Sequence, residues 1–259
     1  MNQEDEQGSQ GSGVQVIERA AKILRALERN PQGMSLAMIS KEVGIPRPTV
    51  QRIVSGLAAE RLVISGVGNT GARLGPGLVS LGLAARSLVH AIIKPHLVSL
   101  SAHFNETVDL SIRDGRVAVL VESVSEWRRL RADSAIGQTF PLHSCANGKA
   151  LLASMSDEHV AQLLPELELK AYTANTITSK KKLLAELDKI REEGVAYDRE
   201  EHTMGISAVG VYLSDPAEGQ MAISVPVPTV RFFGNESFLK SELLACRDEA
   251  LALLSHGSS

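Results

Sequence analysis

The sequence contains few of the residues on which several functional classes depend. Its 259 residues include two cysteines, and aromatic side chains make up only 3% of the chain. Two cysteines, Cys145 and Cys246, can build neither a disulfide framework nor a four-cysteine zinc site. So few aromatic residues also argue against a protein that binds single strands by stacking bases on aromatic platforms.

The chain also lacks long apolar segments. No apolar run reaches the length that crosses a bilayer, although the hydrophobic content of 44% is ordinary for a globular protein. Residues 1–13 are polar and acidic, without the apolar stretch of a signal peptide, and their composition predicts a disordered tail. We therefore expect a cytoplasmic protein with no membrane partner, whose length suits one large or two modest domains.

Basic residues do not dominate overall, since the formal net charge is −3 at pH 7, but they are unevenly distributed. Residues 14–75 contain nine Lys or Arg and four Glu, which gives +5. Residues 76–259 contain 18 basic and 23 acidic residues, which gives −5. A basic segment followed by an acidic one is typical of a nucleic-acid-binding module joined to a soluble partner domain.

Residues 35–61 predict two short helices joined by a tight turn. Apolar residues recur at helical spacing in both: Leu36, Ile39 and Val43 in the first, Val50, Ile53, Val54 and Leu57 in the second. Ser35 is a good N-cap for the first helix, and Gly44 stands where a helix end favours a left-handed residue. Pro46 and Pro48 fit the first turn of the second helix. This layout is that of a helix-turn-helix.

The second helix leaves a polar face that is suited to DNA. Between Pro46 and Ala59 there is no acidic residue, as a helix against phosphates requires. Arg and Gln can form paired hydrogen bonds with base edges in the major groove, and Ser and Thr can reach phosphates. The alternative is the solvated face of an ordinary small helix. The candidate DNA-binding residues are Ser35, Arg47, Pro48, Thr49, Gln51, Arg52, Ser55 and Arg73.

The segments around the helix-turn-helix complete a winged-helix domain over residues 14–75. A helix is predicted from Val14 to the Asn30-Pro31 pair, and two short β runs around residues 66–71 predict a hairpin, the wing, on which Arg73 could reach the DNA. The Gly75-Pro76-Gly77 segment predicts a hinge. Residues 76–87 then predict either a plain linker helix or, as we favour from their leucine content, a helix that packs against a second copy.

The remainder, residues 88–259, predicts an antiparallel sheet with packed helices, so the fold class is α+β. A helix that is broken or kinked at Pro95 precedes a hairpin built from Thr107–Ile112 and Val117–Val121, and Arg128–Ser134 alternates like a third strand. Helices follow over 149–154, 156–164, 180–193 and 236–256, and strands over 206–213 and 221–225.

Several motifs in this order resemble the IclR family of bacterial transcription regulators over about residues 14–250. They are ERAAKILRALE, GIPRPTVQRIVSGLAAERLV, RLGPGLVSLG, FPLHSCANGKALLAS, EEGVAYDREEHTMGISAVGVYLSD and GQMAISVPVPTVR. The resemblance implies a winged helix-turn-helix, a dimerisation helix and a GAF-like effector-binding domain. It also implies a homodimer or homotetramer that is switched by a small organic acid, which can be aromatic. Such an assembly should bind a near-palindromic operator in double-stranded DNA.

The same resemblance places the effector contacts. By residue-to-residue match they are Arg129, Ala132, Ala146, Asn147, Asp198, Ala208, Ser224 and Pro226. Ala208 and Pro226 stand where many relatives carry Cys and Ser, which removes polar groups and makes a more apolar ligand plausible. Strand alternation would place Arg129 and Arg131 on one face, either to clamp a carboxylate or simply in solvent. Asn147 and Ser224 would orient the ligand by hydrogen bonds.

Other chemistry has weaker support. His143, Cys145 and Asp198 could be imagined as a base, a nucleophile and an orienting acid, but no oxyanion-hole motif accompanies them. His96, His143 and Cys145 have no specific metal-ligand spacing. We expect no enzyme activity, no cofactor and no metal site. The alternative to a regulator is a small-molecule sensor or hydrolase whose N-terminal helices dock a protein.

Overall fold

The computed structural model describes residues 7–65, 71–84, 88–215 and 219–257. The chain divides into two compact units, Met1–Arg86 and Ser87–Ser259. Among the described residues, none of the helices has the length and apolar character that a bilayer crossing requires.

In its described residues, the N-terminal unit contains four helices and a two-stranded sheet. They are α1 (Gln7–Arg29), α2 (Leu36–Val43), α3 (Arg47–Ala59), β1 (Val63–Ser65), β2 (Ala72–Leu74) and α4 (Gly77–Ala84). The helix α1 begins at Gln7 rather than at Val14 and so includes residues 7–13, whose composition predicts a disordered tail. Residues 1–6 lie outside the described range. Three glycines in that first segment each disfavour helix by about 1 kcal/mol, which makes it the weakest part of α1.

The turn between α2 and α3 is fixed by local chemistry. The hydroxyl of Ser35 accepts a hydrogen bond from the backbone N–H of Met38 at 3.2 Å, and Gly44 ends α2 in the left-handed region with φ 68°. Apolar side chains of α1, α2, α3 and the hairpin then form one core, which includes Ile23, Leu27, Ile39, Val50 and Val54. These contacts define the orientation of α3 within its unit.

The predicted hinge at Gly75-Pro76-Gly77 is held against the N-terminal unit instead of being free. The backbone N–H of Gly75 donates to the carbonyl of Leu62 at 2.8 Å and that of Gly77 to the carbonyl of Arg61 at 2.9 Å. A Cβ on Gly75 would collide with the carbonyl oxygen of Arg61, so only glycine fits this close approach. The start of α4 therefore belongs to the helix-turn-helix unit.

The C-terminal unit is built on a six-stranded antiparallel sheet. Its strands are β3 (Val108–Asp114), β4 (Val117–Val124), β5 (Thr139–Pro141), β6 (Ala196–Arg199), β7 (Ile206–Asp215) and β8 (Gly219–Pro228), in the spatial order β5-β4-β3-β8-β7-β6. The helices are α5 (Leu88–Phe104), α6 (Ala146–Ala153), α7 (Asp157–Leu163), α8 (Lys180–Glu193), α9 (Thr229–Phe232) and α10 (Glu236–Gly257). Pro95 lies inside α5, which remains one helix.

The two faces of this sheet carry different side chains. Large apolar side chains of β8 pack with α5 and α10: Met221, Ile223, Val225 and Val227. The alternate positions Ala222, Ser224 and Pro226 are small or polar and face the side of α6. Because the side-chain period of a strand is two, this alternation leaves room on the α6 side of the sheet.

One predicted strand of this unit is wrong. Residues 128–134 form a loop and not a third strand, and β5 (Thr139–Pro141), where no strand was predicted, pairs with β4 on the side opposite β3. The loop is held by side chains from distant elements: the buried carboxylate of Glu106 binds Arg128 at 3.0 Å and Arg231 at 2.6 Å. The hydroxyl of Thr107 also donates to the carbonyl of Ala132 at 2.6 Å.

Candidate functional site

The outward face of α3 is accessible in the N-terminal unit. Val50, Ile53 and Val54 of this helix are buried in the core. The side chains on the opposite face are exposed, apart from the half-buried Thr49: Arg47, Pro48, Gln51, Arg52 and Ser55. The packing of one face thus decides which residues of α3 remain available to a partner.

The positive charge of this face is not balanced by acidic side chains. The helix contains no acidic residue, and within the described part of the chain neither Arg47 nor Arg52 forms an ion pair. By contrast, Arg29 of the same unit is paired with Glu42 at 2.8 Å. An unpaired guanidinium can form paired hydrogen bonds with a guanine edge or a phosphate.

Arg73 and Ser35 are also exposed. Arg73 lies on β2 opposite Ile64 of β1, in the two-stranded hairpin predicted to be a wing. The hydroxyl of Ser35 already caps α2, so a phosphate contact from this residue would compete with the cap. The tip of the hairpin, residues 66–70, lies outside the described range.

The C-terminal unit contains a cavity of about 300 Å³ between α6, the sheet and the loop after β4. The helix α6 approaches the sheet closely because β7 has glycine at position 210, where a Cβ would lie 3.1 Å from the backbone carbon of Ala146. The start of α6 and the small side chains of β7 and β8 then enclose the cavity, together with Phe140 and Ile206.

Seven of the eight residues predicted to contact an effector line this cavity: Ala132, Ala146, Asn147, Asp198, Ala208, Ser224 and Pro226. Arg129 does not. It is exposed on the loop, whereas Arg131 lines the cavity. The strand alternation used to group these two arginines does not exist, because the segment is not a strand.

Asn147 has a structural task beside any contact with a ligand. Its amide nitrogen donates to the hydroxyl of Ser111 at 2.9 Å, and its amide oxygen accepts the backbone N–H of Gly148 at 2.8 Å. The side chain therefore ties α6 to β3 and satisfies one N–H of the first turn of α6. Replacing Asn147 would disturb the wall of the cavity as well as its chemistry.

Asp109 is a cavity residue that the sequence did not identify. It lies on β3 opposite Ser224 of β8, is 4% exposed, and accepts a hydrogen bond from the hydroxyl of Ser123 at 2.7 Å. Burial raises the pKa of Asp109 to about 7. A partial signal was present, since helices were predicted before and after the hairpin in the chain. A sheet that is covered by helices on both faces places its polar alternate residues inside.

Asp198 is the second buried acid of the cavity. It lies on β6 opposite Ala208, and its carboxylate accepts the backbone N–H of Glu201 at 2.7 Å. Burial, with the nearby Glu201 carboxylate as a smaller cause, raises the pKa of Asp198 to about 7. Glu201 is in turn held at 2.5 Å by Lys149, whose side chain is fully buried.

The imagined nucleophile is not activated. Burial raises the pKa of the Cys145 thiol well above its ordinary value, and the neighbouring Asp198 raises it further. The Nε2 atom of His143 lies 3.0 Å from the carbonyl of Lys170, and in the described part of the chain no hydrogen bond joins this ring to the Cys145 thiol. A neutral thiol is a poor nucleophile, and burial raises its cost of ionisation. The cavity therefore has the properties of a binding site.

The imagined metal ligands are not assembled either. Within the described ranges, no group of three or more His, Cys, Asp or Glu side chains is arranged to hold a metal ion. His96 lies 3.8 Å from Glu249 and makes no common site with His143 and Cys145.

Comparisons with known proteins find family matches for both units of the chain. Residues 16–64 match the IclR helix-turn-helix domain, and residues 83–252 match the bacterial transcriptional regulator IclR C-terminal domain. The HTH-type transcriptional regulator Rv1719 of Mycobacterium tuberculosis is 48% identical over 241 residues, covering 93% of both chains.

Two further relatives cover nearly the whole chain. The HTH-type transcriptional regulator TtgV of Pseudomonas putida is 39% identical over 245 residues, with 94% of this chain and 93% of that protein covered. The crystal structure of an IclR transcriptional regulator from Alicyclobacillus acidocaldarius superposes with a TM-score of 0.79 at 27% identity, covering 94% of this chain and 98% of the other. This chain belongs to the IclR family of DNA-binding transcription regulators.

Proposed function

We propose that the protein is a ligand-responsive regulator that binds a near-palindromic operator as a dimer or tetramer, with α3 in the major groove and an effector in the cavity of the C-terminal unit. The observation that carries the DNA-binding part is the exposed, unpaired guanidinium face of α3. Two copies related by a two-fold axis would present two such faces to two half-sites on one side of the duplex.

Exposed apolar residues on α4 support assembly with a second copy. Val79 and Leu81 are 64% and 58% exposed, and the helix has no charged residue. Substituting Leu81 by Glu should shift the protein toward monomer, because a charge would then be desolvated at the contact. Sedimentation velocity measures this, with Ser80→Glu as the control on the same helix. An unchanged assembly in Leu81→Glu would place the contact elsewhere.

The DNA-binding proposal is tested by gel shift on the intergenic DNA upstream of the protein's own gene. Arg52→Ala should weaken specific binding by about 1–3 kcal/mol, roughly 5- to 150-fold, the usual cost of losing a bidentate base contact. Arg25→Ala removes the same charge from α1 and is the matched control. Specific binding should also fall as salt rises, because phosphate contacts release counterions.

The outcomes separate the regulator from a protein-docking sensor. Loss of the specific shift in Arg52→Ala with a retained shift in Arg25→Ala supports the regulator. Equal loss in both variants would mean that Arg52 contributes to binding only through its charge and not through a specific contact. No gel shift by the wild type at low salt would favour a docking role for the N-terminal helices.

Effector control requires that the ligand binds DNA-competent and DNA-incompetent arrangements with different affinity. The close packing of residues 75–77 against the helix-turn-helix unit argues that the change between arrangements occurs beyond the start of α4. Thermal-shift screening of small organic compounds, followed by gel shift with each hit, tests whether one molecule both binds the protein and alters the shift.

A further inference from the structure

We propose that the cavity of the C-terminal unit selects a compact, uncharged molecule with a hydroxyl group on an apolar body, and that Asp109 and Asp198 set this preference against carboxylates. The inference rests on the proposed function, in which this cavity receives the effector. It differs from the organic acid that the family resemblance implies.

The sheet forms one wall of the cavity, here called its floor, and the two acids lie at opposite sides of this floor. Asp109 of β3 is paired across the sheet with Ser224, and Asp198 of β6 is paired with Ala208. The neighbouring pair of β7 and β8, Ala208 and Pro226, contributes apolar surface between them. A ligand on this floor thus meets a carboxyl at either side and small apolar groups in the middle.

The charges around the floor are unfavourable to an anion. The described lining contains three acids, Asp109, Asp133 and Asp198, and one arginine, Arg131. That arginine is already engaged, since its Nη2 atom binds Asp133 at 2.9 Å. A carboxylate ligand would enter a site whose acids outnumber its bases, in a buried environment where like charges repel strongly.

The groups behind the lining do not reverse this balance. Lys149 is fully buried, but its ammonium group is bound to Glu201 at 2.5 Å and to Glu186 at 3.4 Å. Burial lowers the pKa of His202, which also lines the cavity, so this ring is disposed to be neutral. The local cations are therefore either paired or uncharged.

Hydrogen-bond donors are present beside the acids. The first turn of α6, at Ala146 and Asn147, lines the cavity, and the first N–H groups of a helix have no intrahelical partner. Within the described residues, the Nε atom of Arg131 is buried without a hydrogen-bond partner. A ligand oxygen could accept from these donors.

A hydroxyl group matches both kinds of partner. Its oxygen can accept from an N–H, and its hydrogen can donate to a carboxylate, whereas an ionised carboxylate can only accept. Burial disfavours the charged forms of both aspartates and so raises their pKa values. A neutral donor that hydrogen-bonds to the charged form would offset part of this free-energy cost. The chemistry of the floor and of the α6 end is therefore satisfied together by an alcohol or a phenol.

The volume and the walls limit the size of the ligand. An apolar cavity of about 150 Å³ holds a benzene molecule, so about 300 Å³ accommodates one substituted ring. The side chains of Phe140, Ile206 and Pro226 provide apolar walls for such a body. A highly polar ligand would leave these apolar walls without apolar contacts.

Isothermal titration calorimetry on the full chain at pH 7.5 tests the preference with two matched probes. 4-Methylphenol and 4-methylbenzoate have the same methylated ring, and only the second is charged, because phenols titrate near pH 10. We expect 4-methylphenol to bind at least tenfold more tightly. Equal or tighter binding of 4-methylbenzoate, or no binding of 4-methylphenol at millimolar concentration, would overturn the proposal.

Isosteric variants test the two acids. Asp109→Asn and Asp198→Asn should each reduce the ratio of the phenol affinity to the benzoate affinity by about tenfold, while Asp157→Asn, an exposed change on α7, should leave it unchanged. A ratio that is the same in both cavity variants and in the wild type contradicts the assignment. Circular dichroism verifies that the variants are folded, and the wild-type ratio does not depend on them.

A gel shift with the same probes separates this inference from the proposed function. If 4-methylphenol binds with the expected ratio but alters no DNA complex, the ligand class stands and the regulator proposal fails. If instead 4-methylbenzoate binds more tightly and alters the DNA complex, the regulator stands and the ligand inference is wrong.

Discussion

Replacing Asp109 by asparagine should stabilise the protein, and the gain should grow between pH 5 and pH 8. The pKa of this carboxyl rises from 3.8 to about 7 on folding, because burial disfavours its charged form. The folded state therefore binds more protons than the unfolded state between these two values, and stability falls as pH rises through this window. The amide of the Asp109→Asn variant does not titrate, so the substitution would remove this loss.

The magnitude follows from the shift. One pKa unit corresponds to about 1.4 kcal/mol, so ionising Asp109 costs the fold roughly 4 kcal/mol above pH 7 and roughly 1.6 kcal/mol at pH 5. The stabilisation by asparagine should therefore increase by about 2 to 3 kcal/mol between pH 5 and pH 8. The hydrogen bond from Ser123 to Oδ1 can be retained by the amide oxygen, so little else is lost.

Urea unfolding of the full chain at pH 5, 6, 7 and 8, followed by circular dichroism, measures this difference. Comparing variant and wild type at each pH cancels titration at other sites. Asp157→Asn, whose side chain is 90% exposed, makes the same substitution at the surface and is the matched control. If the free energies of unfolding of Asp109→Asn and wild type differ by the same amount at pH 5 and at pH 8, a raised pKa at this site is refuted.

Two further substitutions probe the surroundings of the cavity. Lys149→Met should destabilise the protein by about 3–5 kcal/mol in urea unfolding, because Glu201 would remain buried without its cation, and adding Glu201→Gln should restore part of this loss. Gly210→Val should displace α6 and so abolish the binding of small ligands in calorimetry, while the gel shift of the operator without ligand remains. Intact ligand binding in this variant would contradict the close packing of α6 on β7.

The sequence was sufficient for the N-terminal unit because its signals are local. The cap at Ser35, the left-handed Gly44 and the prolines at the start of α3 act within a few residues, and the apolar spacing then decides which face of α3 is buried. Even so, the hinge prediction at Gly75 was wrong. Glycine there serves close packing against the backbone at Arg61 and not mobility, and sequence alone does not distinguish these two uses.

The cavity was only partly predictable, for a reason that Asp109 illustrates. Polar residues that alternate with apolar ones on a strand of an antiparallel sheet normally face water. In the structure the sheet is covered on both faces, so Asp109 and Ser111 are buried with α6 above them. The family resemblance supplied seven cavity residues but not Asp109, which the register opposite Ser224 places among them.

The loop after β4 shows why the arginines could not be assigned from alternation. Arg128 is held by Glu106, which also binds Arg231 from α9, and these partners are 22 and 125 residues from Glu106 in the chain. Arg231 further donates to the carbonyl of Leu130 at 3.0 Å. Such long-range polar contacts fix the loop and decide that Arg131 faces the cavity while Arg129 faces solvent. The wall of the candidate effector site is therefore a consequence of tertiary structure, and a carboxylate-binding role for adjacent arginines cannot be inferred from their spacing.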